Sequence, residues 1–201
     1  RFVSFTGSRD VGLRINELAA KTPKGQRWIK RVVAEMGGKD AIVVDREADM
    51  DQAVMGVLYS AFGYQGQKCS ACSRAIVDET VYDEFLAKLK AKTEALTIGP
   101  SDDLGNYMGP VINARARDAI LGYIETGKQE GRLVTGGGEG PGDGYFIQPT
   151  ILADVDPKAC VFQEEIFGPV LAVAKAKNFD HALEMANDSE YGLTGAVFTT
   201  N

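Results

Sequence analysis

The sequence contains few of the residues that characterise disulfide-stabilised or metal-binding proteins. Its 201 residues include three cysteines, Cys69, Cys72 and Cys160, and a single histidine, His181. So few cysteines, odd in number, cannot form a disulfide framework, and they favour a reducing, cytoplasmic location. We expect no zinc site, because no second cysteine pair accompanies Cys69 and Cys72 and His181 stands alone.

The chain also lacks concentrated positive charge and long apolar runs. Its 22 Lys and Arg residues face 28 Asp and Glu residues, which gives a net charge of -6. Nucleic acids and anionic membranes are bound by clustered Lys and Arg, so we expect neither as a partner. No apolar run approaches the roughly 20 residues of a membrane span, and the N-terminus has no signal-peptide layout. The hydrophobic fraction of 44% is ordinary for a globular protein.

Hydrophobic patterning alternates between strand-like and helix-like segments along the chain. Alternation of this kind predicts one α/β domain with a mostly parallel sheet flanked by helices. We expect the segments 32–35 and 41–45 to be buried strands around a glycine turn, and Asn113 to cap a helix. The predicted strands are 2–6, 32–35, 41–45, 74–77, 132–135, 149–154, 170–174 and a last one near Ala196; the predicted helices are about 10–21, 49–62, 81–96, 113–130 and 180–187.

Both ends of the sequence are strand-like, and the first residue is Arg1 rather than an initiator methionine. Domains rarely begin and end on buried strands. We therefore expect this chain to be a piece of a longer protein.

The densest group of reactive side chains runs from Gln65 to Arg74, in a loop between a predicted helix and a predicted strand. Functional residues are often displayed in such loops. Three interpretations are open for its two thiols: a redox pair formed by Cys69 and Cys72, a single reactive cysteine, or two inert buried thiols. A redox pair normally opens a helix, whereas the residues after Cys72 are strand-like.

Three further short segments could contact a ligand. In Glu35-Met36-Gly37-Gly38-Lys39, a carboxylate closes a strand before two glycines, where it is either a general base or a solvated turn residue. In Phe5-Thr6-Gly7-Ser8, a strand runs into a turn before a helix, which is either a phosphate-binding turn or an ordinary connection. Glu164 to Val170 contains a carboxylate and an aromatic two residues apart, which could hold a ribose and stack on a ring, or form a loop around a buried Phe.

Taken in this order, the four segments resemble those of the aldehyde dehydrogenase superfamily, and the resemblance covers essentially the whole chain. Phe5-Thr6-Gly7-Ser8 is similar to the family's cofactor-phosphate turn. Glu35-Met36-Gly37-Gly38-Lys39 is similar to its general-base motif, with Met36 in place of the usual Leu. Gly66-Gln67-Lys68-Cys69 is similar to its nucleophile motif, and Glu165-Ile166-Phe167-Gly168-Pro169 to its nicotinamide-ribose motif. Residues 144–150, which contain Gly-Tyr-Phe and Pro-Thr, also fit the family pattern.

The resemblance implies a role for each matching residue. Cys69, rather than Cys72, is then the nucleophile, and Glu35 is the base that activates water. The implied cofactor is NAD, with NADP as the alternative. Its implied binding residues are Gly7, Ser8, Met36, Gly37, Glu165 and Phe167.

A finer resemblance points to the branch of 1-pyrroline-5-carboxylate dehydrogenases, which oxidise L-glutamate 5-semialdehyde to L-glutamate in proline catabolism. Residues 62–74 and 192–198 carry it. In this branch Ser70, Gly195 and Ala196 would bind the substrate's α-carboxylate. The alternatives are another semialdehyde or general aldehyde as substrate, a thiol redox protein, or a non-catalytic binding protein.

The resemblance also implies that parts of the family's enzymes lie outside this chain. Residues 1–201 would form the catalytic domain, without the larger N-terminal cofactor domain and the C-terminal segment through which subunits associate. We expect the 201-residue chain alone to have little activity and the longer protein to be a homo-oligomer. Its location would be cytoplasmic, or the mitochondrial matrix in a eukaryote.

Overall fold

A computed structural model describes all residues from Arg1 to Asn201. The elements agree with the predicted alternation of strands and helices, with ends that differ by at most two residues. In chain order they are β1 (Phe2–Thr6), α1 (Arg9–Ala20), β2 (Arg31–Glu35), β3 (Asp40–Val44), α2 (Met50–Phe62), a 3-10 turn (Gly63–Gly66), β4 (Cys72–Asp78), α3 (Tyr82–Glu94), α4 (Ala114–Glu130), β5 (Arg132–Thr135), β6 (Thr150–Ala153), α5 (Cys160–Gln163), β7 (Val170–Ala176), α6 (Phe179–Asn187) and β8 (Gly195–Phe198).

Local sequence signals explain where several helices begin. The predicted cap of α4 is confirmed, because the Asn113 side chain accepts a hydrogen bond from the backbone N–H of Ala116 at 2.9 Å. Asp49 caps α2 in the same way through Gln52. The 3-10 turn and α5 are four residues each and were not predicted, since so short a segment has no periodic pattern to detect.

The chain divides into two compact units, residues 1–38 and 39–201. In the first unit β1 and β2 form a two-stranded parallel sheet, with Thr6 paired to Glu35, and α1 connects the two strands. We expected β2 to be buried, and this is wrong: its residues alternate between exposed and half-buried. The assignment of residues 1–201 to a single catalytic domain stays a prediction.

The second unit contains a six-stranded sheet in the order β5-β6-β7-β4-β3-β8. Only the pair β5 and β6 is antiparallel. The predicted mostly parallel sheet is therefore confirmed. Helices cover both faces, which explains why β3 and most of β4 are buried along their length.

Two hydrophobic clusters fill the layers on either side of this sheet. One is formed with α2 and α3 and includes Phe62, Phe85 and Leu89. The other is formed with α4, α5 and α6 and includes Ile124 and Phe162. Each cluster brings together residues far apart in sequence, and the burial of their apolar side chains is the main force that fixes the strand order. None of the helices has both the length and the apolar character that a membrane span requires.

The strand order also places two of the motif segments side by side. The strands β4 and β7 are parallel neighbours, with Arg74 paired to Ala172. The cysteine loop leads into β4 and the Glu164–Pro169 loop leads into β7. Because the amino ends of neighbouring parallel strands meet at one edge of a sheet, these loops lie at the same edge.

Candidate active site

The turn between β1 and α1 has the geometry of an anion-binding helix start. Ser8 is the N-cap of α1 in an extended conformation, and its side chain makes no capping hydrogen bond. The first helical bond runs from the N–H of Gly12 to the carbonyl of Ser8 at 3.0 Å. The backbone N–H groups of the first helical turn therefore point away from any helical carbonyl, which suits a phosphate.

The first unit joins this turn to the segment around Glu35. The N–H of Gly7 donates to the carbonyl of Glu35 at 3.0 Å. A Cβ atom placed on Gly12 would lie 2.5 Å from the sulfur of Met36, so Met36 packs directly against α1. Glu35 is exposed at the end of β2, and Gly37 is half-buried after it. Two of the four segments, separated by about 30 residues of sequence, are thus neighbours in this unit.

In the second unit a tight turn displays Cys69 and Ser70. The N–H of Ala71 donates to the carbonyl of Lys68 at 3.1 Å, so Cys69 and Ser70 occupy the two central positions of the turn. Cys69 is half-buried and Ser70 is exposed. The side-chain oxygen of Gln67 accepts a hydrogen bond from the N–H of Ile112 at 3.0 Å, which fixes the start of this turn to the chain before α4.

Left-handed backbone precedes the cysteine turn. Tyr64, Gln65 and Gly66 have φ values of 58°, 57° and 66°. A Cβ on Gly66 would lie 2.2 Å from the carbonyl oxygen of Gly168, so only glycine allows this approach. The contact joins the nucleophile motif to the Glu165 motif, which lies about 100 residues later in the sequence.

The loop from Glu165 to Gly168 is shaped to present Phe167. Its φ is 55°, a left-handed value that a phenylalanine rarely adopts. The side chain is 46% exposed, whereas Ile166 and Gly168 on either side are buried. Glu165 is half-buried. The predicted alternative of a loop around a buried Phe is therefore wrong, and the exposed ring is available to a ligand.

The two cysteines of the Cys69-to-Cys72 pair differ in environment. Cys72 begins β4 and is buried, and its thiol donates to the carbonyl of Arg74 at 3.4 Å. Burial raises the pKa of Cys72 to about 12, because the thiolate would lose its hydration. Both thiols are free. A thiol that hardly ionises near neutral pH is a poor redox partner, which counts against the redox interpretation.

Gly195 and Ala196 lie in the second unit, on an edge strand of the six-stranded sheet. They belong to β8 and pair with Ala41 and Ile42 of β3, which separates them from β4. They line a cavity of about 460 Å³ in the second unit, and the residues lining this cavity do not include Cys69 or Ser70. The structure therefore does not bring the three predicted carboxylate-binding residues together around that cavity.

Two charged residues near the site were not singled out from the sequence. Arg74 is 3% exposed, and its guanidinium donates to the carbonyls of Lys39, Met185 and Ala186 at 2.7, 3.1 and 2.8 Å. It also stacks on the Phe162 ring at 5.2 Å. This side chain joins β4 to the residue before β3 and to the end of α6, where helix carbonyls lack partners. A lone arginine in an apolar strand was the only signal available in the sequence.

Lys39 is the other such residue, and it directly follows Gly37-Gly38. It is 1% exposed, and its ammonium nitrogen has no hydrogen-bond partner. Burial, followed by the nearby positive charge of Arg74, lowers the pKa of Lys39 to about 7. Glu165 opposes this effect electrostatically. The charge of Lys39 therefore changes near neutral pH.

Comparisons with known proteins agree with the motifs. Residues 1–201 match the family model described as "Aldehyde dehydrogenase family". The chain is 61% identical over 201 residues to 1-pyrroline-5-carboxylate dehydrogenase of Geobacillus kaustophilus and 59% identical to that of Bacillus subtilis, covering all of this chain and 39% of each relative. The chain thus spans about two fifths of the length of these relatives.

Solved structures of aldehyde dehydrogenases are also similar to this chain. A crystal structure of 1-pyrroline-5-carboxylate dehydrogenase from Thermus with bound NAD superposes with a TM-score of 0.97 at 51% identity, covering all of this chain and 39% of that one. Betaine aldehyde dehydrogenase from Staphylococcus aureus in complex with NAD+ superposes with a TM-score of 0.93 at 34% identity, covering all of this chain and 40% of that one. This chain belongs to the aldehyde dehydrogenase family.

Proposed function

We propose that this chain carries the nucleophile and general base of an NAD-dependent dehydrogenase that oxidises L-glutamate 5-semialdehyde to L-glutamate. The observation that carries the proposal is the turn presenting Cys69, held against the Glu165 loop where Gly66 meets Gly168. Similarity to 1-pyrroline-5-carboxylate dehydrogenases over the whole chain supports the choice of substrate.

In this proposal Cys69 makes the first bond to the substrate. Its thiolate attacks the aldehyde carbon, a carbon–sulfur bond forms, and the carbonyl oxygen takes up negative charge. Loss of a hydride from that carbon converts the adduct into a thioester. Glu35 then removes a proton from water, which attacks the thioester and releases glutamate and the Cys69 thiol.

Each unit offers groups of the kind that bind parts of a dinucleotide. The N-terminal end of α1, with Gly7 and Ser8 before it, suits a pyrophosphate. Met36 and Gly37 directly follow Glu35, the last residue of the neighbouring strand β2. Glu165 offers a carboxylate to a ribose, and the exposed Phe167 ring offers a stacking surface. When bound, NAD supplies the acceptor for the hydride that leaves the substrate.

The substrate's α-carboxylate is assigned to Ser70, Gly195 and Ala196. Ser70 is exposed beside Cys69 in the same turn, where its hydroxyl can donate to a carboxylate. The assignment of Gly195 and Ala196 rests on the sequence resemblance alone. Ser70→Ala should raise KM for the carboxylated aldehyde far more than KM for a simple aliphatic aldehyde.

We further propose that the active enzyme is a longer, cytoplasmic homo-oligomer. The relatives are about two and a half times as long as this chain, so residues beyond it would supply the rest of the cofactor site. The 201-residue chain alone should then show little turnover. Turnover by it close to that of the longer protein would contradict this part of the proposal.

The reaction is tested by NADH formation in the longer protein. The substrates are 1-pyrroline-5-carboxylate, acetaldehyde and succinic semialdehyde, with Cys69→Ala as the control and NADP as the alternative cofactor. Strong preference for the first substrate, lost in Cys69→Ala, would support the proposal. Preference for another aldehyde would retain Cys69 and Glu35 but overturn the carboxylate site, and absence of any turnover would overturn the proposed reaction.

A further inference from the structure

One face of α4 contacts the whole segment that leads into and includes the Glu165 loop. This face, called here the α4 contact face, consists of Ile120, Tyr123, Gly127 and Glu130. Their spacings of three, four and three residues place them on one side of a helix. The segment that they contact, residues 160–168, comprises α5 and the loop carrying Glu165 and Phe167.

At the beginning of the segment, Glu130 holds the start of α5. Its two carboxylate oxygens accept hydrogen bonds from the N–H groups of Cys160 and Val161, both at 3.0 Å. These donors have no carbonyl partner within so short a helix, and a carboxylate also suits the positive end of its dipole. Gly127 allows close packing, because a Cβ there would lie 3.1 Å from a methyl carbon of Val161.

In the middle and at the end of the segment, the same face contacts the loop itself. The hydroxyl of Tyr123 donates to the carboxylate of Glu164 at 2.7 Å. The hydrogen bond to that carboxylate raises the pKa of Tyr123, and burial and the negative charge of Glu164 add to the effect, so the hydroxyl remains a donor. At the end of the loop, a Cβ on Gly168 would lie 2.5 Å from Ile120, which shows how closely α4 approaches.

We propose that Tyr123 is a positioning residue, which orients Glu165 and Phe167 for the cofactor through its hydrogen bond to Glu164. The loop has no repeating backbone hydrogen bonds, so its shape depends on such contacts at either end. Glu164 is adjacent to Glu165 in the chain, so a contact that holds Glu164 also restricts the backbone of Glu165. The inference rests on the proposed function, because it concerns the cofactor that Glu165 and Phe167 are proposed to bind.

The test uses Tyr123→Phe in the longer protein, since this change removes one hydroxyl and keeps the ring. The control is Tyr82→Phe, because the Tyr82 hydroxyl also takes part in hydrogen bonding, accepting from the N–H of Asp154 at 2.9 Å, and lies outside the Glu165 loop. NAD affinity is measured by calorimetry without aldehyde. Hydrolysis of an activated aryl ester by Cys69, which needs no cofactor, is measured in parallel.

Tyr123→Phe should weaken NAD binding about three- to tenfold, as expected for loss of one hydrogen bond to a charged group. Ester hydrolysis should be unchanged, and Tyr82→Phe should bind NAD as the unmodified protein does. Unchanged affinity in Tyr123→Phe, or an equal loss in both variants, would overturn the inference. Failure of the unmodified protein to bind NAD would instead overturn the proposed function, which keeps the two outcomes distinct.

Discussion

Gly66 and Gly168 meet so closely that a methyl group on the first would lie 2.2 Å from the carbonyl oxygen of the second. Gly66 is three residues before Cys69, and Gly168 directly follows Phe167. The contact therefore fixes the distance between the proposed nucleophile and the proposed cofactor loop. It exists because the two loops enter neighbouring parallel strands.

Gly66→Ala should disturb both loops at once. A left-handed φ and a backbone clash oppose any side chain here, and we expect a loss of roughly 2–4 kcal/mol in stability. Dehydrogenase activity should fall at least tenfold, because the loops must separate. The control is Gly122→Ala on α4, where a Cβ meets nothing within 4 Å and alanine favours the helix. Thermal unfolding and NADH formation check both variants, and an active, stable Gly66→Ala protein would contradict the proposed clash.

Thiol reactivity should separate the three cysteines. Cys69 and Cys160 are half-buried, whereas Cys72 is buried with its pKa raised to about 12. Brief alkylation of the folded protein at neutral pH should therefore modify Cys69. It should modify Cys160 to an extent set by the solvent access of that thiol. Cys72 should stay unmodified until the protein unfolds. Peptide mass spectrometry measures each site. Rapid modification of Cys72 in the folded state would return the redox interpretation to consideration.

The charge of Lys39 should make stability depend on pH above neutrality. Its pKa is lowered to about 7 in the folded state, compared with about 10.4 in an unfolded chain. Between these values the unfolded chain binds one more proton, so stability is greatest at high pH and is lost as the pH falls toward 7. Below pH 7 both states are charged and the loss is complete.

Lys39→Met should remove this dependence. The difference in unfolding free energy between the variant and the unmodified protein should change by at most about 1.4 kcal/mol per pH unit from pH 7 to 9. The variant should be the more stable of the two at pH 6, where the charged ammonium is buried without a hydrogen-bond partner. Parallel pH profiles in the two proteins would show that Lys39 is solvated.

Arg74 should be essential for stability rather than for chemistry. Its guanidinium supplies hydrogen bonds to three backbone carbonyls, and Arg74→Met would leave these acceptors without a donor. We expect a loss of roughly 3 kcal/mol or more. Arg14→Met, on the exposed face of α1 in an ion pair with Glu17, should change stability by less than about 0.5 kcal/mol. Thermal unfolding of the two variants compares them directly.

Much of the fold could be predicted from the sequence because its determinants are local. The cap at Asn113 and the apolar runs of β3 and β7 depend on adjacent residues. The contact between Gly66 and Gly168 could not, because it depends on which strands become neighbours. The burial of Arg74 could not be predicted either, because its acceptors on α6 lie more than 100 residues away in the sequence.

The site was predictable to the extent that its motifs are contiguous. The segments around Glu35 and Cys69 resemble known motifs directly, whereas the role of Tyr123 depends on a hydrogen bond to Glu164, 41 residues later. For Gly195 and Ala196 a short sequence match predicts a role in carboxylate binding, and this role stays a prediction. Short matches do not specify spatial proximity.

The most direct test of the account is to trap the proposed intermediate on Cys69. Glu35→Gln should still form the thioester but hydrolyse it slowly, because the amide cannot accept a proton from water. The longer protein with this change is mixed with 1-pyrroline-5-carboxylate and NAD, quenched in acid, and mapped by peptide mass spectrometry. We expect a glutamyl adduct on the Cys69 peptide and none on Cys72 or Cys160. An adduct on another cysteine, or rapid turnover with no adduct, would contradict this expectation.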